Sequence, residues 1–268
     1  SESELRMALE AGVSRIVVDS FDELDRLQIL HKETGVSPKI LLRITPGIEA
    51  HTHEFISTGQ DDSKFGFTVS TGMALEAVER AVKTEAVELV GIHAHIGSQV
   101  FKVDSFIRAV EVMAEFSNPL ELPELSIGGG LGVSYLEDDH APSITEWGEA
   151  VQTACIQTGI KAKVTAEPGR AIAAAAAITL YRIGTIKELE GLRTYVAVDG
   201  GMSDNPRPVL YGSGYETFLP RSMNKKRDRS IRMVGKHCES GDLLVREGWI
   251  PSNAAIGDVI APPVTGAY

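Results

Sequence analysis

Over the first two-thirds of the chain, short apolar runs alternate with amphipathic stretches, and this alternation admits few folds. A parallel strand buried on both faces reads as a nearly continuous apolar run, and its neighbour is reached through a crossover, usually a helix. Residues 14–19, 39–45, 89–95, 124–127 and 163–166 are such runs. The stretches between them carry helix signals. Ser1 with Glu4, Ser20 with Glu23 and Ser143 with Glu146 have capping-box spacing, and Gly12, Gly35 and Gly159 supply stops. In 21–34, Leu24, Leu27, Ile29 and Leu30 recur near helical spacing while Asp22, Glu23, Asp25 and Arg26 take the other face. The pattern predicts an α/β region of strands joined by helices. After Arg170 it changes to Thr-, Val-, Ile- and Tyr-rich runs broken by Gly, Pro and charge, with strand candidates at 179–183, 194–198, 230–234 and 243–245. Two domains are expected, an α/β domain over 1–175 and a mostly β domain over 176–268.

Composition narrows the function classes. At 43% hydrophobic and 24% charged, 268 residues can bury a substantial core. The net charge of -11, with no Lys/Arg stripe, argues against nucleic acid and an anionic membrane surface and favours small-molecule chemistry. The basic run 224–229 reads as a solvated loop. Two cysteines, Cys155 and Cys238, make no disulfide framework, and no 18-residue apolar run is present. A reducing, cytoplasmic setting is expected.

Candidate chemistry gathers where strands end, because ligand sites of parallel α/β folds lie at the carboxyl ends of strands. The motifs, in order, are GIHAHIGSQ (91–99), LSIGGGLG (125–132), AEPGR (166–170), VDGGMSDN (198–205) and GKHCESGD (235–242). The glycines 128–130 let backbone N–H groups approach a phosphate, or simply make a tight turn. Glu167, at the end of an expected buried strand, needs a cationic partner: a protonated pyridine nitrogen, or Arg170 three residues on. His95 can stack on a planar ring and Ser98 can donate to phosphate. His93 and His95, two apart, share a strand face and offer a metal pair without a third ligand at fixed spacing, so no metal is expected. Arg207 suits a carboxylate, Glu239 an ammonium group, and the Cys238 thiol a proton transfer. Tyr211 and Tyr268 stand in NPRPVLYG and TGAY.

These five motifs together resemble those of the alanine-racemase-like pyridoxal-phosphate decarboxylases, most closely the diaminopimelate decarboxylase family. HTHEFISTG (51–59) and SKFG (63–66) are similar to that branch, particularly its actinobacterial members. The resemblance covers essentially the whole chain. It implies a (β/α)₈ TIM-like barrel, here partial with about five of eight βα units, followed by a truncated β-rich domain, and a homodimer with shared active sites. It implies decarboxylation of meso-2,6-diaminopimelate to L-lysine, the final step of lysine biosynthesis, with pyridoxal 5'-phosphate as cofactor. Cofactor-binding residues would be His95 on the ring face, Ser98, Gly129 and Gly130 at the phosphate, Glu167 at the pyridine nitrogen, and Gly169, Arg170 and Tyr268. Substrate-binding residues would be Arg170, Arg207, Tyr211, Glu239 and Tyr268, and Cys238 would be the catalytic proton donor supplied across the dimer. CESGD favours diaminopimelate over ornithine or arginine, whose decarboxylases usually carry Asp after the Cys.

One departure sets an alternative. The family holds its cofactor on a lysine in a Tyr-Ala-x-Lys context, and no lysine here has that context; Lys64, Lys163 and Lys236 merely lie near motifs. The chain is therefore expected to be part of a longer enzyme and inactive alone. Otherwise it is a non-catalytic decarboxylase-like binding protein, or a relative acting on ornithine, arginine or carboxynorspermidine.

Overall fold

A computed structural model describes residues 1–48 and 59–268, so most of the 51–59 motif lies outside the described residues. The chain forms two compact units, one of residues 1–132 and 142–168, the other of residues 133–141 and 169–268.

In the first unit, α1 (Glu2–Glu10) precedes β1 (Ile16–Val18), α2 (Phe21–Thr34) and β2 (Lys39–Thr45). The short β3 (Phe67–Thr68), α3 (Met73–Val82), β4 (Glu88–His93), α4 (Val103–Ser117), β5 (Glu124–Ser126), α5 (Ile144–Gln157) and β6 (Lys163–Thr165) follow. The strands are parallel and ordered β1-β2-β4-β5-β6, with β3 paired to the end of β2. Spatial order follows chain order, the winding of a barrel wall and not of a doubly wound sheet. All five expected strands are present, each within three residues of its expected ends.

The helix ends obey local chemistry. At α5 the reciprocal box is complete: Glu146 N–H donates to Ser143 Oγ at 3.1 Å and Ser143 N–H to Glu146 Oε2 at 2.8 Å. At α2 the Glu23 carboxylate reaches one residue further back, taking the Asp19 N–H at 2.6 Å. Gly35 closes α2 at φ 71°, donating to His31 O at 2.7 Å. Burial follows position in the sheet. Ile40, Leu42 and Ile44 of β2, Ile92 of β4, Leu24, Leu27 and Leu30 of α2 and Phe106, Val110 and Met113 of α4 are all buried, and α3 lies against β2 and β4. The outermost strand β6 buries none of its residues fully.

Register sets the site. Arg43 of β2 pairs with His93 of β4, His93 with Ser126 of β5, and Ser126 with Thr165 of β6, one row across four strands near their carboxyl ends. Residues in such a row are cross-strand neighbours.

The second unit contains α6 (Gly169–Ala173), β7 (Tyr181–Leu189), β8 (Arg193–Val198), α7 (Arg207–Tyr211), β9 (Arg229–Val234), β10 (Leu243–Ile250) and β11 (Val259–Ile260). Its mixed sheet has the order β10-β9-β8-β7-β11, parallel only between β8 and β9. Tyr181, Ile183, Val196, Val198, Ile231 and Met233 form its core, joined by Tyr135 and Tyr215. Asn224, Lys225, Lys226 and Asp228 of the basic run are exposed as expected, while Arg227 pairs with Glu216 at 3.0 Å and with Glu137 at 2.5 Å, both carboxylates lying in the same unit.

Candidate active site

The first unit gathers its chemistry around Glu167, two residues past β6. Its carboxylate lies 3.3 Å from His93 Nε2 and accepts the Ser126 hydroxyl at 2.9 Å, the two neighbours that the strand register places beside it. The His93 contact, followed by Ser126 and the more distant His95, outweighs desolvation and holds the Glu167 carboxyl down at about 2. The expectation that Glu167 is buried is not met: its side chain is 52% exposed, because β6 is the last strand in the sheet order. Its partner His93 is the buried member of the pair, and among the described residues His93 Nδ1 has no hydrogen-bond partner.

His95 lies beside this pair in the turn after β4. The Gly129 N–H donates to His95 Nδ1 at 3.2 Å, so the neutral ring carries its proton on Nε2. Burial, then the charge of Arg43, lowers the His95 imidazole to about 4, and it is neutral near pH 7. Arg43 is mostly buried, 3.3 Å from Asp19 and 4.4 Å above the Phe65 ring. Burial draws its guanidinium down, while Asp19 and Glu167 act in the opposite sense.

The triple glycine follows from close backbone approach. A Cβ on Gly128 would lie 2.2 Å from Ala94 O, one on Gly129 2.2 Å from Glu167 O, and one on Gly130 2.1 Å from Gly97 O. Glu167 N–H donates to Gly128 O at 2.8 Å. The turn thus locks the ends of β4, β5 and β6 together and brings His95, Gly129 and Glu167 into one cluster. Ser98 sits half-buried in the turn after β4. Among the described residues no group of three His, Cys, Asp or Glu is arranged to hold a metal.

The second unit holds a different cluster. Arg170 on α6 donates to the Tyr135 hydroxyl at 2.6 Å and lies 4.8 Å above the ring of Tyr268. Arg207, opening α7, lies 5.1 Å from the Tyr135 ring and 5.4 Å from that of Tyr211, and donates to Ser213 Oγ at 3.2 Å. Arg207 is 4% exposed, and among the described residues its Nε has no hydrogen-bond partner and no carboxylate pairs with it. Cys238 and Glu239 are exposed on the turn between β9 and β10. Asp242 fastens that turn by accepting the His237 N–H at 2.8 Å and the Met202 N–H at 2.6 Å. Neither Cys238 nor Glu239 forms a side-chain hydrogen bond or ion pair among the described residues.

The ionised carboxylate of Glu167 beside the neutral imidazole of His95 suits a protonated pyridine ring. The family model for the pyridoxal-dependent decarboxylases, pyridoxal binding domain, matches residues 1–174. The chain belongs to the pyridoxal-dependent decarboxylases. Among curated members of this family, the chain is 45% identical over 287 residues to diaminopimelate decarboxylase of Mycobacterium tuberculosis, covering 100% of this chain and 64% of that protein. The corresponding enzyme of Bacillus subtilis is 43% identical over 279 residues, at 100% and 63% coverage. The crystal structure of the Helicobacter pylori diaminopimelate decarboxylase complexed with L-lysine superposes with a TM-score of 0.89 at 31% identity, covering all of this chain and 66% of that one. The chain spans 58% to 64% of the length of the curated relatives it matches. His93, Ser126, Arg43 and Tyr135 were not assigned these contacts from sequence; the strand register supplies the first three.

Proposed function

We propose that this chain belongs to an enzyme that decarboxylates meso-2,6-diaminopimelate to L-lysine with pyridoxal 5'-phosphate. The observation that carries the reading is the Glu167 carboxylate, held ionised by His93 and Ser126 beside a neutral His95. The names of the most similar relatives support the substrate. Bound pyridoxal phosphate supplies an electron sink for the pair left when carbon dioxide departs.

The chain's own residues divide the remaining work. Glu167 presents fixed negative charge to the pyridine nitrogen, which keeps a proton there. His95 offers an uncharged face for stacking on a cationic ring, where an imidazolium would repel it. Ser98 and the Gly129–Gly130 turn receive the phosphate, with Gly169 and Arg170 beyond Glu167. Arg207, Arg170 and Tyr211 take substrate carboxylates, Tyr268 touches both cofactor and substrate, and Glu239 takes the D-configured ammonium group. Cys238 Sγ returns a proton to the carbon that loses carbon dioxide. We further infer a homodimer in which Cys238 and Glu239 serve the partner copy's site, supported by the exposure of both side chains. A cytoplasmic setting is supported by the two free cysteines.

The test is product analysis with the full-length protein. L-lysine and carbon dioxide are expected from meso-diaminopimelate, with ornithine and arginine turned over at least about 100-fold less efficiently. Cys238→Ala is expected to cost about 10²–10⁴ in kcat. Equal turnover of ornithine would overturn the substrate, and unchanged turnover in the variant would remove the thiol from the mechanism.

A further inference from the structure

We propose that His237 is a positioning residue: its ring and backbone, fastened to the loop after β8, hold the Cys238 thiol at the apex of an exposed turn. The proposal rests on the reading above that Cys238 Sγ returns the proton, and adds the element that fixes where that thiol stands. It also gives a purpose to VDGGMSDN, the strand-end motif from which the proposed function draws no residue.

Sheet topology brings the two loops together within the second unit. β8 and β9 are parallel neighbours, so the segments that follow them, 199–205 and 235–242, leave the sheet at the same end. Close approach then demands glycine. A Cβ on Gly201 would lie 2.5 Å from His237 Cδ2, and one on Gly235 would lie 2.5 Å from Gly201 Cα and 2.2 Å from Asp242 Oδ2. The buried Asp242 carboxylate spans both loops, taking the Met202 N–H on Oδ1 at 2.6 Å and the His237 N–H on Oδ2 at 2.8 Å. Lys236 N–H adds a direct backbone tie to Gly200 O at 2.9 Å. Two motifs far apart in sequence thus form one interlocked body.

The ties end beside Cys238 and not on it. His237 Nε2 lies 2.8 Å from Ser203 Oγ, and because a hydroxyl both donates and accepts, the contact holds in either imidazole tautomer. Glu239 N–H donates to His237 O at 2.8 Å, closing a three-residue turn with Cys238 exposed at its apex. On the far flank, Asp242 N–H donates to Glu239 O at 3.0 Å. The backbone is therefore pinned on both sides of the cysteine, while the thiol makes no hydrogen bond among the described residues. A group that must deliver a proton to one carbon needs both properties, a fixed position and an uncommitted reactive atom. Ser203 is exposed, and a single exposed hydrogen bond adds little to overall stability, so the value of its contact with His237 is local.

The experiment compares wild type, Ser203→Ala, Ser203→Thr, His237→Phe and the Ser203→Ala/His237→Phe double variant in the full-length, cofactor-loaded protein, with Cys238→Ala as reference. Ser203→Ala and His237→Phe remove the same contact. Each should lower kcat about tenfold while KM for meso-diaminopimelate rises less than about threefold. The double variant should lose about tenfold and not about 100-fold, since nothing further is left to break. Ser203→Thr keeps the hydroxyl and should stay within about twofold of wild type. In deuterium oxide the exchanged thiol gives up its deuteron, a C–D bond forms at the carbon that lost carbon dioxide, and the thiolate recovers a deuteron from solvent. Wild type should label one face of that carbon; Ser203→Ala and His237→Phe should label both, as solvent competes with a displaced thiol. Amide hydrogen exchange over 235–240 should quicken in these two variants and not in Ser203→Thr. Ser203→Ala, at an exposed position, keeps the test decisive if His237→Phe fails to fold. Should Cys238→Ala leave kcat unchanged, the thiol reading falls, while hydrogen exchange still judges whether His237 fastens the turn. If Cys238→Ala lowers kcat but well-folded Ser203→Ala and His237→Phe retain wild-type kcat, single-face labelling and exchange, the positioning role is overturned.

Discussion

At the strand ends of the first unit a half-exposed carboxylate has every need met from within the chain, whereas in the second unit a buried guanidinium has no carboxylate at all among the described residues. Glu167 takes His93 and Ser126, and its charge is secured down to strongly acidic pH. Arg207 takes a hydroxyl and two aromatic faces, none of which cancels its charge. The first arrangement is preorganised, with a charge fixed by the chain itself. The second is an unmet electrostatic demand that an anionic ligand completes. On the proposed function, cofactor chemistry and substrate selection would reside in clusters built on opposite electrostatic plans.

The largest expected effect breaks the first cluster. Glu167→Gln keeps the shape of the side chain but removes its charge and one of its two acceptor oxygens. It should lower kcat by about 10³, the scale of losing one preorganised electrostatic group. Cofactor should still load, as read by its absorbance. A variant retaining more than a tenth of wild-type kcat would mean that the carboxylate is only a structural partner of His93.

The second cluster should respond in the opposite sense on stability. Arg207→Met replaces an uncompensated buried cation by an apolar chain of similar length. KM for meso-diaminopimelate should rise roughly 30–100-fold. The ligand-free protein, by contrast, should gain roughly 2–4 °C in melting temperature, about 1 kcal/mol. A variant losing both stability and affinity would show that the aromatic faces of Tyr135 and Tyr211 already compensate the charge, and the contrast between the clusters would disappear.

The same contrast explains what the sequence could reveal. The central strands β2, β4 and β5 were legible because strands covered on both faces must be largely apolar, and the motifs were legible because glycine is demanded where strand ends touch backbone to backbone. The partners of Glu167 were not, since His93 and Ser126 reach it only through the register of β4, β5 and β6, which depends on pairing between segments far apart in sequence. The placement of β6 at the end of the sheet order, which exposes Glu167, is equally a tertiary fact. Tyr135 gave no signal because nothing local to VSYLEDD announces that the segment joins the second unit. Strands β3 and β11, each two residues long, are too short to carry a pattern, and β7 runs beyond its expected end because its later half is edged with Lys187 and Glu188.

The smallest expected effect sharpens the account of the first cluster through pH. Folding lowers the His95 imidazole from 6.5 to about 4, so between these values the unfolded chain binds a proton that the folded chain refuses. Stability contributed by neutral His95 is therefore complete above about pH 6.5 and declines as pH falls toward 4. Glu167 acts with the same sign in a lower window, since its carboxyl moves from 4.5 to about 2 and its contribution fades only as pH drops below 4.5. Other lowered carboxyls, such as Glu124 and Asp258, join it there, which leaves pH 4.5–6.5 as the range where His95 is read with least interference. Melting temperatures across that range should slope downward with acid in wild type and more shallowly in His95→Phe, while the two proteins should run parallel above pH 7. Equal slopes between pH 4.5 and 6.5 would show that the His95 ring is not held neutral by burial, and its fitness to stack on a cationic ring would lose its electrostatic basis.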